Sequence, residues 1–83
     1  MTHRQLNVIA AEIRADWVDP KTGKSKVWFG AVPYLDAMSM LHTITEDYGC
    51  DPASDIVRYF LSNATHWRGE TARKIKAELK GML

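Results

Sequence analysis

Apolar residues recur along this chain at helical spacing in four separated runs, with polar residues filling the positions between them. Leu6, Ile9, Ala10, Ile13 and Trp17 fall at i, i+3, i+4, i+7 and i+11, a stripe that a 3.6-residue repeat brings to one side. Thr2-x-x-Gln5 has the form of a capping box just ahead of them, so a first helix is predicted to start there. Pro33 suits the first turn of a second helix, where its missing N–H is not needed. Tyr34, Ala37, Met38, Leu41 and Ile44 then share a face, and Gly49 is expected to end that helix in the left-handed conformation. Asp51-Pro52 combines a side-chain cap with a first-turn proline, and Ala53, Ile56, Val57, Phe60, Leu61 and Ala64 follow at helical spacing. This third helix is the expected centre of the core. Thr65 is placed to cap a fourth, whose inner face carries Ala72, Ile75, Leu79 and Met82. The whole pattern predicts an all-α fold, a small four-helix bundle in a single domain over 1–83.

Between the first two helices the chemistry is that of a turn. In Asp19-Pro20-Lys21-Thr22-Gly23 the proline presets φ and the glycine supplies a positive φ as the chain reverses. A short hairpin-like loop joining Trp17-Val18 to Val27-Trp28 fits this stretch. Gly23-Lys24-Ser25 has the ending of a phosphate-binding loop. That loop also needs an earlier glycine, where Val18 stands, and a strand before it with a helix after it. A turn kept solvated by Lys21, Lys24 and Lys26 is the expected structure instead.

Composition limits what this frame can hold. With 46% hydrophobic and 25% charged residues, the chain matches an ordinary globular protein with one core. A domain this small often gains from self-association, so a homo-oligomer is compatible with the sequence. No long apolar run appears, near the N-terminus or elsewhere, so neither a signal peptide nor a membrane span is expected and the cytoplasm is the expected location. Cys50 is the only cysteine, which excludes an internal disulfide.

Candidate reaction centres are few. His3, His42, His66 and Cys50 lack the close pairwise spacing that fixes two zinc ligands on one element. Cys50 has acidic neighbours, where a reactive thiolate needs cationic ones. Glu46, Asp47, Asp51 and Asp55 do not form the ladder of a calcium loop, and helix capping accounts for Asp51 and Asp55. No catalytic residue, cofactor site or metal site is therefore expected, and the chain does not read as an enzyme.

Charge changes the picture more than any motif. Residues 31–57 carry Asp36, Glu46, Asp47, Asp51 and Asp55 and no Lys or Arg, a net of −5. Residues 58–83 carry Arg58, Arg68, Arg73, Lys74, Lys76 and Lys80 against Glu70 and Glu78, a net of +4. Arg73, Lys76 and Lys80 fall at i, i+3 and i+7 on the fourth helix, and Glu70 with Lys74 makes a supporting i, i+4 pair. The stripe is either a solvated helical face or a docking surface for an acidic protein or for phosphates.

Two stretches, Val27-Trp28-Phe29-Gly30-Ala31-Val32-Pro33-Tyr34-Leu35-Asp36-Ala37-Met38 and Ile56-Val57-Arg58-Tyr59-Phe60-Leu61-Ser62-Asn63-Ala64-Thr65-His66-Trp67-Arg68-Gly69-Glu70-Thr71-Ala72-Arg73-Lys74-Ile75-Lys76, resemble a group of small helical proteins encoded by bacteriophages and related mobile elements. The resemblance implies a phage accessory protein in a host cytoplasm that acts by binding. The leading expectation is a protein-binding inhibitor of a host defence system, of the anti-CRISPR type, whose partner is a host protein or a protein–nucleic-acid complex. Its acidic middle could imitate phosphates, or its basic helix could grip an acidic partner. The candidate partner-binding residues are Trp67, Arg68, Arg73, Lys76 and Lys80. Trp67 and Arg68 are types enriched in binding hot spots, although Trp67 serves a core equally well. The alternatives are a small nucleic-acid-binding accessory protein and a sponge for phosphorylated signalling nucleotides.

Overall fold

The computed structural model describes residues 3–83. The elements run α1 (Leu6–Asp16), α2 (Val32–Met38), β1 (Asp47–Tyr48), β2 (Asp51–Pro52), α3 (Ala53–Ser62) and α4 (Glu70–Gly81). The strands form a two-stranded antiparallel sheet. The expected all-α four-helix bundle is therefore incorrect: a sheet stands where the pattern predicts the end of a long second helix and the start of the third, and only about half of the chain is helical.

The physical reason lies at Ser39 to Glu46. Ser39 Oγ donates back to the Leu35 carbonyl at 3.0 Å, and the Leu41 N–H reaches only to Met38, a tightened last turn. The carbonyls of Leu41 and His42 then accept the N–H groups of Asn7 and Leu6, each at 2.9 Å. Those donors open α1 and have no partner within their own helix, so this junction satisfies them while drawing the chain out of α2. Thr43, Ile44 and Thr45 are β-branched and favour the departure. Leu41 is nevertheless buried and Ile44 packs against the core, which is why their spacing imitates a longer helix.

Glu46 completes the turn. Its carboxylate accepts the N–H groups of His42 and Thr43, the latter at 2.8 Å, and its carbonyl accepts the Ala53 N–H at 2.8 Å. Gly49 does adopt a positive φ of 62°, but in the two-residue turn joining Tyr48 to Asp51 rather than at a helix end. Cys50 keeps φ below zero, so the turn is of type II′, whose twist matches a hairpin. Asp51 lies in β2 and does not cap α3, which starts after an extended Pro52. The capping box ahead of α1 rests on Thr2, which lies outside the described residues.

Most of the predicted core positions are buried, and Tyr34, Ile44, Leu61 and Met82 are partly so. Leu6, Ile9, Ala10, Ile13 and Trp17 pack with Ala53, Ile56, Val57 and Phe60, and with Ala72, Ile75 and Leu79. α1 packs on both α2 and α4, while α3 packs on α2. Three rings close one end of this core: Trp17 stacks on Trp67 at 5.7 Å, and Phe60 meets them edge-on at 6.5 and 6.4 Å.

Two loops position the surface described next. The hairpin after α1 pairs Val18 with Ser25, and the Lys26 N–H bonds the Trp17 carbonyl at 2.9 Å, a register shorter than predicted. Its turn has Lys21 N–H on Asp19 Oδ1 at 2.8 Å and Gly23 at φ 73°. Thr65 does not cap α4, which begins five residues later behind Gly69 at φ 116°, ψ −180°. That backbone region is open essentially to glycine alone, so Gly69 stands outside the helix and turns the chain from Trp67 into it. Among the described residues, no helix is long and apolar enough to cross a membrane.

Candidate functional site

The structure gathers Arg68, Arg73, Lys76 and Lys80 on one side of α4 and the loop before it, and separates Trp67 from them by burial. Only 2% of Trp67 is exposed. Its indole Nε1 donates to Asp16 Oδ2 at 2.9 Å, so the ring is a core residue with its polar edge satisfied.

Four other cations are matched by carboxylates. Arg4 forks onto Glu78 through Nε and Nη2, at 2.9 and 2.6 Å, and also reaches Glu12. Arg14 pairs with Asp36, Arg58 with Asp55, and Lys74 with Glu70 at 3.2 Å, the last being the predicted i, i+4 pair. Among the described residues, Lys21, Lys24, Lys26, Arg68, Arg73, Lys76 and Lys80 have no such partner. These unmatched charges fall on only two segments, the 19–26 hairpin and 68–80.

Two open grooves lie along these segments, and the second spans both. One, of about 320 Å³, is lined by Trp67, Arg68, Gly69, Ala72, Arg73 and Lys76. The other, of about 310 Å³, is lined by Asp16, Trp17, Val18, Pro20, Lys26, His66, Trp67 and Arg68. Trp67 and Arg68 belong to both, so the grooves adjoin, and Asp16 is the one carboxylate lining either. That carboxylate already accepts the Trp67 indole.

Lys76 shows what this crowding does. Its Nζ donates to the Trp67 carbonyl at 2.6 Å and lies 5.8 Å from the indole centroid. Partial burial, then the positive charges of Lys80 and Arg68, hold its pKa below the ordinary lysine value. An anion placed in the first groove would relieve that repulsion.

The acidic middle is differently disposed. Asp36 and Asp55 are committed to arginines, and Glu46 to backbone N–H groups that keep its carboxyl below the usual range. Asp47 and Asp51 are exposed on the small sheet. Among the described residues, no three His, Cys, Asp or Glu side chains converge as metal ligands. His42 lies 3.9 Å from Glu46, His66 lies beside Trp28, and Cys50 is exposed in the hairpin turn.

No protein-family model, curated protein or solved structure matches this chain. Function is therefore read from the chemistry of this face. Sequence reasoning places Arg68, Arg73, Lys76 and Lys80 on it and misses Lys26 and His66, which only the hairpin and the turn into α4 bring beside Arg68. The signal for Lys26 is Trp17 itself: the ring is buried, and its backbone carbonyl accepts the Lys26 N–H across the hairpin, which brings that lysine to the core's edge.

Proposed function

We propose that this chain is a non-catalytic binding module whose cationic face, centred on Arg68 between the two grooves, holds the phosphate backbone of a nucleic acid. The observation that supports this most is the partition of charge: Arg4, Arg14, Arg58 and Lys74 are ion-paired, while Lys26, Arg68, Arg73, Lys76 and Lys80, together with Lys21 and Lys24 of the hairpin, are not. Unneutralised, closely spaced cations repel one another, and a run of phosphates removes that cost while releasing its own counterions. The small net charge of +1 does not oppose this reading. Asp36, Asp55 and Glu46 of the acidic segment are engaged by their own partners, and at physiological salt a charge acts over about 8 Å. In the setting that the resemblance implies, a host defence complex carrying nucleic acid would present such phosphates, which makes an anti-CRISPR-type inhibitor one form of the same activity.

Fluorescence anisotropy of a labelled DNA duplex and a labelled oligothymidylate, repeated at rising salt, tests the proposal. Affinity should fall log-linearly with salt, with a slope of about 0.9 per neutralised phosphate on duplex. Absence of binding to both probes at low salt, or binding indifferent to salt, would remove it.

A further inference from the structure

We infer that the preferred ligand of this face is a single strand of nucleic acid, whose unpaired bases stack on Trp28 and Phe29 while its phosphates lie along Lys26, Arg68 and Arg73. This inference rests on the nucleic-acid reading above and names its substrate class. Phe29 is 74% exposed and Trp28 44%, and the two rings stand 4.4 Å apart between centroids. Large aromatic side chains left in water this way are unusual beside a core that buries Trp17 and Trp67.

The pair is continuous with the cationic face. The His66 ring lies 6.2 Å from that of Trp28, and His66 lines the groove that Lys26 and Arg68 also line. Exposed rings beside a track of unmatched cations are what sequence-tolerant single-strand binding requires, because every base offers a face to stack while a paired duplex hides it. Charge complementarity therefore favours this occupant over an apolar protein segment.

Gly30 holds the platform in place. A Cβ there would sit 2.7 Å from Trp28 Nε1 and 2.8 Å from Asn63 Oδ1, so only glycine lets the indole lie down beside Asn63. Nothing at the exposed rings or cations reads a sugar hydroxyl, so DNA and RNA strands are expected to bind alike.

The test measures the full chain against oligothymidylate, oligouridylate and a DNA duplex at one salt concentration. The single strands should bind about tenfold or more tightly than duplex, and should quench the emission of Trp28, the only exposed tryptophan. Phe29→Ser, at a position too exposed to disturb folding, should weaken both single strands about tenfold and leave duplex binding unchanged. Trp28→Leu should abolish the quenching and lower the single-strand preference. If single strands and duplex bind equally and Phe29→Ser changes neither, the stacking platform is wrong and the phosphate-binding reading survives. If no probe binds, both are wrong.

Discussion

Lys76 Nζ donates to the Trp67 carbonyl at 2.6 Å, so one hydrogen bond ties the cationic face to the aromatic core. Reversing the charge of Lys76 is therefore not a neutral surface change, unlike reversal at the exposed Arg73 or Lys80. Lys76→Met keeps the aliphatic stem over the Trp67 ring and removes only the bond and the charge. A loss of about 0.5–1.5 kcal/mol is expected in denaturant melts, together with weaker nucleic-acid binding. An unchanged midpoint would mean that the bond does not contribute to folding.

Gly69 and Gly81 should respond in opposite directions to alanine. Gly69 sits at φ 116°, ψ −180°, where a Cβ is strained, and Gly69→Ala is expected to cost about 1–3 kcal/mol. Gly81 is helical with open space around its Cα, so Gly81→Ala should stabilise by up to about 1 kcal/mol. Thermal melts of the two variants side by side check both. Equal effects would show that the turn into α4 is not as described.

Phe60 is fully buried and meets both Trp17 and Trp67 edge-on. Phe60→Ala is expected to cost about 3–5 kcal/mol, which consumes much of a small domain's stability. Circular dichroism with urea titration reads this directly, and a midpoint shifted by less than about 1 kcal/mol would place the core elsewhere.

Acid should unfold the chain through two named carboxyls. The hydrogen bonds from Thr43 and His42 lower the Glu46 pKa, and the Arg4 fork lowers that of Glu78. Both groups bind protons less readily when folded than when unfolded. Their contribution is thus complete above the unfolded carboxyl value of about 4.3 and is lost as pH falls below it. Stability measured across that range should decline less steeply in Glu78→Gln, whose remaining pH dependence belongs to Glu46 and other groups. A parallel decline in the variant would exclude the Arg4–Glu78 fork.

Much of this fold is legible in the sequence because burial obeys helical periodicity. The inward faces of α1, α3 and α4 are the predicted ones, from Leu6 to Leu79. What misleads is that Leu41 is buried and Ile44 partly buried without either being in a helix, so their spacing carries no information about hydrogen bonding. The fate of 39–52 depends on Leu6 and Asn7 seeking carbonyls far away in sequence, and on Glu46 folding back on His42 and Thr43. Helix starts depart from their predicted places for a related reason: Asp51 and Thr65 have capping chemistry, but Pro52 and Gly69 take those places through backbone geometry. At the candidate site, the α4 stripe follows from spacing alone. Its union with Lys26 and His66, and the burial of Trp67, are tertiary facts.

The central claim is that location, not total charge, makes this a nucleic-acid-binding surface. Two double variants test it most directly, each removing two positive charges: Arg68→Gln with Arg73→Gln on the unmatched face, and Arg14→Gln with Arg58→Gln at paired sites. Binding to a labelled DNA duplex is followed across a salt series for both and for the parent. The first pair should weaken binding at low salt and reduce the log–log salt slope by about 1.8, or about 0.9 for each phosphate that is no longer neutralised. The second pair should leave affinity and slope close to those of the parent. Equal losses in the two variants would reduce the effect to net charge, and an undiminished slope in the first would contradict the assignment of this face.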